Sequence, residues 1–165
     1  KDTLLLVDPV MGDNGALYST YTPDMVEGVK RLCAKADIIT PNLTELQILS
    51  GERDILPAGE KMIDSGIKSV IVTGVVEDDR VANYVFSDGI VKRYETEFLK
   101  SATQGGSFSG TGDIFASFVM GKILNGVSVF DAVEQAADFI CKAIRASNIQ
   151  NRNDGIDFEP FLKSI

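Results

Sequence analysis

Histidine is absent from the 165 residues, which excludes His-based catalytic triads and His-ligated metals. Cysteine is nearly as scarce. Cys33 and Cys141 are the only two, each on the apolar face of an expected helix, and such a pair fits buried free thiols in a reducing, cytoplasmic setting better than a disulfide. No apolar run approaches the roughly 20 residues of a membrane span, and no signal-peptide pattern opens the sequence. Positive charge is also short: 16 Lys and Arg stand against 24 Asp and Glu, a net charge of −8. That balance argues against a nucleic-acid surface, which needs a basic face. It leaves a nucleotide open, because main-chain amides and a divalent cation can neutralise phosphates within an acidic protein.

What is present is ordinary for a soluble globular chain: 44% hydrophobic and 24% charged residues, and enough length for one domain over residues 1–165. Lys1-Asp2-Thr3 runs straight into a strand without an initiator Met or a leading turn. The expectation is therefore a chain whose natural beginning lies upstream.

Thr3 to Val7 is a short, continuous apolar run closed by Asp8-Pro9, the pattern of a strand buried on both faces of a parallel sheet. Residues 23 to 35 read as a helix with Pro23 at its start and Met25, Val26, Val29, Leu32 and Cys33 on one face. Asp37 to Thr40 is a second strand, stopped by Pro41. A helix over Asn42 to Ser50 ends at Gly51, and another runs from about Pro57 to Ser65. Lys68 to Thr73 is the third buried strand. Val81 to Ser87 and Ile90 to Phe98 flank Asp88-Gly89 as a hairpin. Leu99 to Ser109 is a loop and Thr111 to Leu124 a helix. Ser128 opens the last helix with Asp131 in a capping-box-like place, and Val129, Ala132, Val133, Ala136, Ile140, Ala143 and Ile144 form its stripe. In the tail, Phe158, Phe161 and Leu162 are expected to dock back on the body. This succession predicts an α/β fold around a mostly parallel sheet, and ligands of such sheets sit beyond the carboxyl ends of the strands.

Four motifs fall at those ends. Asp8 and Asp13 bracket a turn in Asp8-Pro9-Val10-Met11-Gly12-Asp13-Asn14-Gly15, where two carboxylates can hold Mg²⁺ directly or through its waters; a plain strand-ending turn reads as well. Asn42-Leu43-Thr44-Glu45 is a capping box, which does not prevent its carboxylate from organising metal-bound water. Thr73-Gly74 offers a hydroxyl to a phosphate or satisfies a turn. Gly110-Thr111-Gly112-Asp113 opens a helix whose first amides lack intrahelical partners and carry roughly +0.5 of a charge, a seat for an anion. Asp113 beside it is a candidate base for a hydroxyl near phosphate, or simply complements the dipole. Lys92, Arg93 and Lys100 read as a solvated strand face and its exit.

In order and spacing, Asp8–Asp13, Thr40–Glu45, Val72-Thr73-Gly74 and Gly110–Asp113 resemble the ribokinase-like vitamin kinases, most closely the pyridoxal/pyridoxamine kinase branch. The similarity runs from residue 1 to about 148 and corresponds to the C-terminal part of that family's chain. The resemblance implies a three-layer α/β/α ribokinase-like fold lacking its N-terminal part, and ATP-dependent phosphorylation of the 5′-hydroxymethyl group of a small vitamin B6 alcohol. It implies Asp113 as the base and Gly110, Thr111 and Gly112 as the anion hole for the transferring phosphoryl group. Asp8, Asp13, Thr40 and Glu45 would surround the metal and the phosphates, and Asn42, Thr73 and Gly74 would contact ATP. Mg²⁺, with K⁺ as a second ion, and a homodimer at full length belong to the same implication, as does an exposed first-strand edge that would make the isolated chain aggregate or require a partner. Hydroxymethylpyrimidine kinases resemble the chain at Asp8–Met11 but usually carry cysteine where Asp113 stands. Sugar kinases of the superfamily resemble it at the glycine turn and at Asn42–Glu45, but not at Asp8–Met11. A non-catalytic fragment with residual nucleotide affinity is the reading from outside the enzymes.

Overall fold

The structure, a computed structural model, describes residues 3–98, 108–147 and 155–164. In chain order the elements are β1 (Leu6–Val7), β2 (Gly12–Asp13), β3 (Ala16–Leu17), α1 (Pro23–Cys33), β4 (Ile38–Ile39), α2 (Leu43–Ser50), α3 (Ile55–Asp64), β5 (Ser69–Glu77), β6 (Arg80–Ser87), β7 (Ile90–Glu97), α4 (Thr111–Leu124), α5 (Val129–Ala146) and a 3₁₀ helix over Glu159–Ser164. Five strands form one sheet in the order β1-β4-β5-β6-β7, while β2 and β3 make a separate antiparallel ribbon. The parallel pairing expected of the first three long-range strands is present, with Leu6 opposite Ile38 and Ile38 opposite Ser69.

The residues group into two compact units, Lys1–Val75 with Asn83–Arg93, and Val76–Ala82 with Tyr94–Ile165. In the first unit, Ile39, Leu46, Val70, Ile71 and Val72 are fully buried, each burial contributing about 1.5–3 kcal/mol. The hydroxyls of Ser69 and Ser87 meet at 2.8 Å inside this core, so neither polar group is left unsatisfied. In the second unit, α4 packs on α5, with the Phe118 and Phe139 rings 4.8 Å apart. Phe108, Ala143 and Ile156 form a buried cluster, and Ile114, Ile140, Ile144, Phe158 and Phe161 pack against it.

Several expectations change in detail. The first strand shrinks to Leu6–Val7. Thr3 is exposed, Leu4 to Leu6 are half-buried and only Val7 is buried, because β1 ends the sheet order among the described residues and pairs with β4 alone there. The α1 face also differs: Val26 and Cys33 are buried, whereas Met25 and Leu32 are close to half exposed. Val26 and Cys33 lie seven residues apart, so the side turned to the interior is a narrower strip than the apolar stripe as a whole. Helix α3 begins two residues before Pro57, which is tolerated because first-turn amides have no intrahelical acceptor. Cys141 is half-buried rather than buried, and both cysteines are free. Of the tail, Phe158 and Phe161 dock, but Leu162 is 49% exposed. The reciprocal bond expected at Ser128 goes from its hydroxyl to Asp131 Oδ2 at 2.7 Å, while the Asp131 amide donates to that hydroxyl at 3.1 Å. The expected loop over 99–107, and Lys100 with it, lie outside the described residues, as does 148–154.

Candidate active site

In the first unit the expected residues follow β1 and β4 directly but lie inside β5, which does not stop at Thr73 as expected and runs through Gly74 to Glu77. Asp8 follows β1 and Thr40 follows β4, and the Thr40 hydroxyl donates to Asp8 Oδ1 at 2.9 Å. Thr40 is buried, so this bond fixes the acid at the strand end. Thr73, near the middle of β5, donates its amide to the Pro41 carbonyl at 2.9 Å and bridges in parallel to Asn42. Asp8, Thr40, Asn42 and Thr73 are thus brought together along one sheet end.

Glu45 ties the neighbouring loop to this end. Its Oε1 accepts the Met11 amide at 2.9 Å and the Gly12 amide at 3.5 Å. Its Oε2 accepts the Asn42 amide at 2.9 Å. Asn42 Oδ1 accepts the Glu45 amide at 2.9 Å, completing the capping box, and Asn42 Nδ2 donates to the Gly12 carbonyl at 2.8 Å. Glu45 is buried. Burial pushes its carboxyl up from the ordinary range, the three amides pull it back, and the nearby Asp8 adds to the rise. Three of the roughly four lone-pair positions of this carboxylate are therefore taken by the main chain.

Asp13 sits on the ribbon. Its carboxylate accepts the Asn14 amide at 2.8 Å and the Asn14 side chain at 3.1 Å. The ribbon is a feature that the turn reading missed. Asn14 and Gly15 take φ values of 51° and 80°, the two positive angles of a type I′ turn, and Asn-Gly is the sequence signal for it. The Gly15 amide donates to Thr44 Oγ1 at 2.8 Å. Tyr21 donates its phenol to the Val10 carbonyl, and the Tyr18 phenol is pushed up by burial and by the charges of Asp13, Glu45 and Asp8. Neither tyrosine stood out in the sequence.

Among the described residues no group of three or more His, Cys, Asp or Glu could hold a metal on its own. The donors present, Asp8 and Asp13 with a largely engaged Glu45, nevertheless fit Mg²⁺, which keeps most of its waters and takes one or two carboxylates together with a substrate's phosphates.

The second unit carries the glycine turn. Gly110 is the N-cap of α4 with φ +81°, in the left-handed region where a Cβ would strain the chain. Ahead of it, the buried Phe108 accepts the Thr111 hydroxyl at 2.9 Å. No side chain among the described residues caps this helix. Gly110, Gly112 and Asp113 are exposed, and Asp113 stands in the first turn.

An α/β sheet with acid, hydroxyl and amide groups gathered along one end, in a chain that also opens a helix on a glycine turn, is the arrangement of the ribokinase-like fold. Residues 1–156 match the phosphomethylpyrimidine kinase family, and the chain belongs to it. It is 29% identical over 153 residues to a hydroxymethylpyrimidine/phosphomethylpyrimidine kinase of Aquifex aeolicus, covering 89% of this chain and 58% of that one. Its structure is similar to pyridoxal kinase from Lactobacillus plantarum, with a TM-score of 0.86, 26% identity and coverage of 98% and 60%. It is also similar to pyridoxal kinase from Staphylococcus aureus in complex with AMP-PCP, with a TM-score of 0.75, 26% identity and coverage of 90% and 55%. The chain spans 38 to 58% of the length of its first curated relatives. Among the described residues no helix is long and apolar enough to cross a membrane.

Proposed function

We propose that the protein transfers the γ-phosphoryl group of ATP to the 5′-hydroxymethyl group of pyridoxal, pyridoxamine or pyridoxine. The observation that carries this reading is the start of α4: a left-handed glycine, no side-chain cap and an exposed acid in the first turn. The amides of Gly110, Thr111 and Gly112 stabilise the negative charge spread over the transferring group. Asp113 accepts the proton of the attacking hydroxyl as the new O–P bond forms and ADP departs. Asn42, Thr73 and Gly74 contact the nucleotide, and Asp8, Asp13 and Thr40 face its phosphates, with Glu45 holding the loop that presents them. Asp8 and Asp13 would hold Mg²⁺, which would supply charge neutralisation for the phosphates. A pyridoxal kinase from Staphylococcus aureus in complex with the ATP analogue AMP-PCP is a structural neighbour, which supports the choice of donor.

The family match and the Aquifex aeolicus relative favour a second acceptor, hydroxymethylpyrimidine. Asp113 at the base position is what favours the B6 alcohol. Turnover with Mg·ATP, measured on the two alcohols with the full-length protein, tests the choice. Faster phosphorylation of pyridoxal is expected; faster phosphorylation of hydroxymethylpyrimidine reverses the assignment, and turnover of neither leaves the non-catalytic reading.

A further inference from the structure

We propose that Asn83 is a positioning residue for the nucleotide end of the sheet, acting through the main chain of Gly74. This rests on the reading of Thr73-Gly74 as part of the nucleotide site.

Asparagine is depleted in strands, and a buried amide must find partners. Asn83 lies within β6 and is only 5% exposed. Its Oδ1 accepts the Gly74 amide at 3.1 Å. Gly74 lies inside β5 with φ +68°, an angle that turns its amide away from regular strand pairing. A side chain from the next strand takes the place of a ladder carbonyl.

The consequence reaches the site. Val70, Ile71 and Val72 are fully buried, Thr73 is half-buried and Gly74 exposed, and Val75 is buried again, so β5 reaches the surface at the step where its glycine changes the backbone. One residue earlier, the Thr73 amide is held by Pro41 and Thr73 bridges to Asn42. Asn42 is in turn locked to Glu45 and Gly12. Asn83 therefore fixes the one side of the Thr73-Gly74 step that the Pro41–Asn42 segment does not hold. A Cβ on Gly74 would meet no atom within 4 Å. The glycine serves the backbone angle, not a close contact, and Gly74→Ala perturbs the same feature by a different route.

The test is Mg·ATP affinity together with amide hydrogen exchange at Gly74, read in wild type, Asn83→Ala, Asn83→Asp, Gly74→Ala and Asn83→Ala/Gly74→Ala. Asn83→Ala is expected to weaken Mg·ATP by about tenfold, the usual scale for one unsatisfied amide, and to speed exchange at Gly74. Asn83→Asp keeps an acceptor oxygen and retains slow exchange. The double variant loses little more affinity than either single one, because both act on one step of backbone. If Asn83→Ala does not fold, Gly74→Ala carries the test and must show the same loss. Unchanged affinity with unchanged exchange in Asn83→Ala, or fully additive losses, overturns the inference. A wild-type chain that binds no Mg·ATP instead overturns the kinase reading, and exchange at Gly74 still decides whether Asn83 holds this step.

Discussion

Two helices of this chain begin at motif residues, and they treat their first amides in opposite ways. At α2, Asn42 and Glu45 cap each other, and Glu45 also gathers the amides of Met11 and Gly12. At α4, a left-handed glycine opens the helix and no side chain among the described residues caps it. An N-terminus whose donors are satisfied internally is a structural joint. One left uncapped and exposed beside an acid suits an incoming anion. The same local chemistry thus organises the sheet end in one unit and, on the proposed reading, serves the reaction in the other.

The largest effect that separates the two is expected at the reacting end. Asp113→Asn should lower turnover of the full-length protein by about 10²–10⁴, the range for a general base, while costing less than about 1 kcal/mol of stability, since only a dipole contact at an exposed site is lost. Kinetics beside a thermal melt check both, and near-normal turnover removes Asp113 from the role. At α2 the balance reverses. Glu45→Ala strips an acceptor from three main-chain amides and should cost about 3 kcal/mol in a urea melt. A loss below 1 kcal/mol would mean that the loop is held by something else.

Asn42→Ala removes one cap and the bond to the Gly12 carbonyl, and should cost about 1–2 kcal/mol. A smaller effect comes from protonation. Because the folded chain holds the Glu45 carboxyl above its ordinary value of 4.5, the folded state binds that proton more tightly than the unfolded state. Its contribution is complete below pH 4.5 and is lost as pH rises through the raised value. The stability of wild type relative to Glu45→Gln, followed by denaturant melts from pH 4 upwards, should therefore fall with rising pH; a rise would reverse the sign of the shift. Cys33 feels its own burial and, beyond that, the charges of Glu45 and Asp8. Burial pushes its thiol up to about 11, so a thiol reagent at neutral pH should leave it unmodified in the folded chain.

Two strand ends were legible because sequence marks them: Asp8 before Pro9 and Thr40 before Pro41 each close an apolar run. Thr73 before Gly74 misled, because β5 continues through the glycine to Glu77. The capping box at α2 was legible for the same local reason. The wider use of Glu45 was not, because Met11 and Gly12 lie 34 and 33 residues away and no short-range pattern encodes which loop lands on a carboxylate. The ribbon around Asn14-Gly15 did carry its signal, but strands of two residues are too short to show alternation. Asn83 gave none: a polar residue within an apolar run reads as solvent-facing until the neighbouring strand is in place. The width of the α1 stripe misled because periodicity reports apolar residues and not what covers them.

The most direct test of the proposed nucleotide site is a melt of the chain with and without Mg·ATP. At 100 times its Kd the ligand should add about 2.7 kcal/mol of stability, seen as a clear rise in Tm. A melting curve unmoved by saturating Mg·ATP would contradict the account.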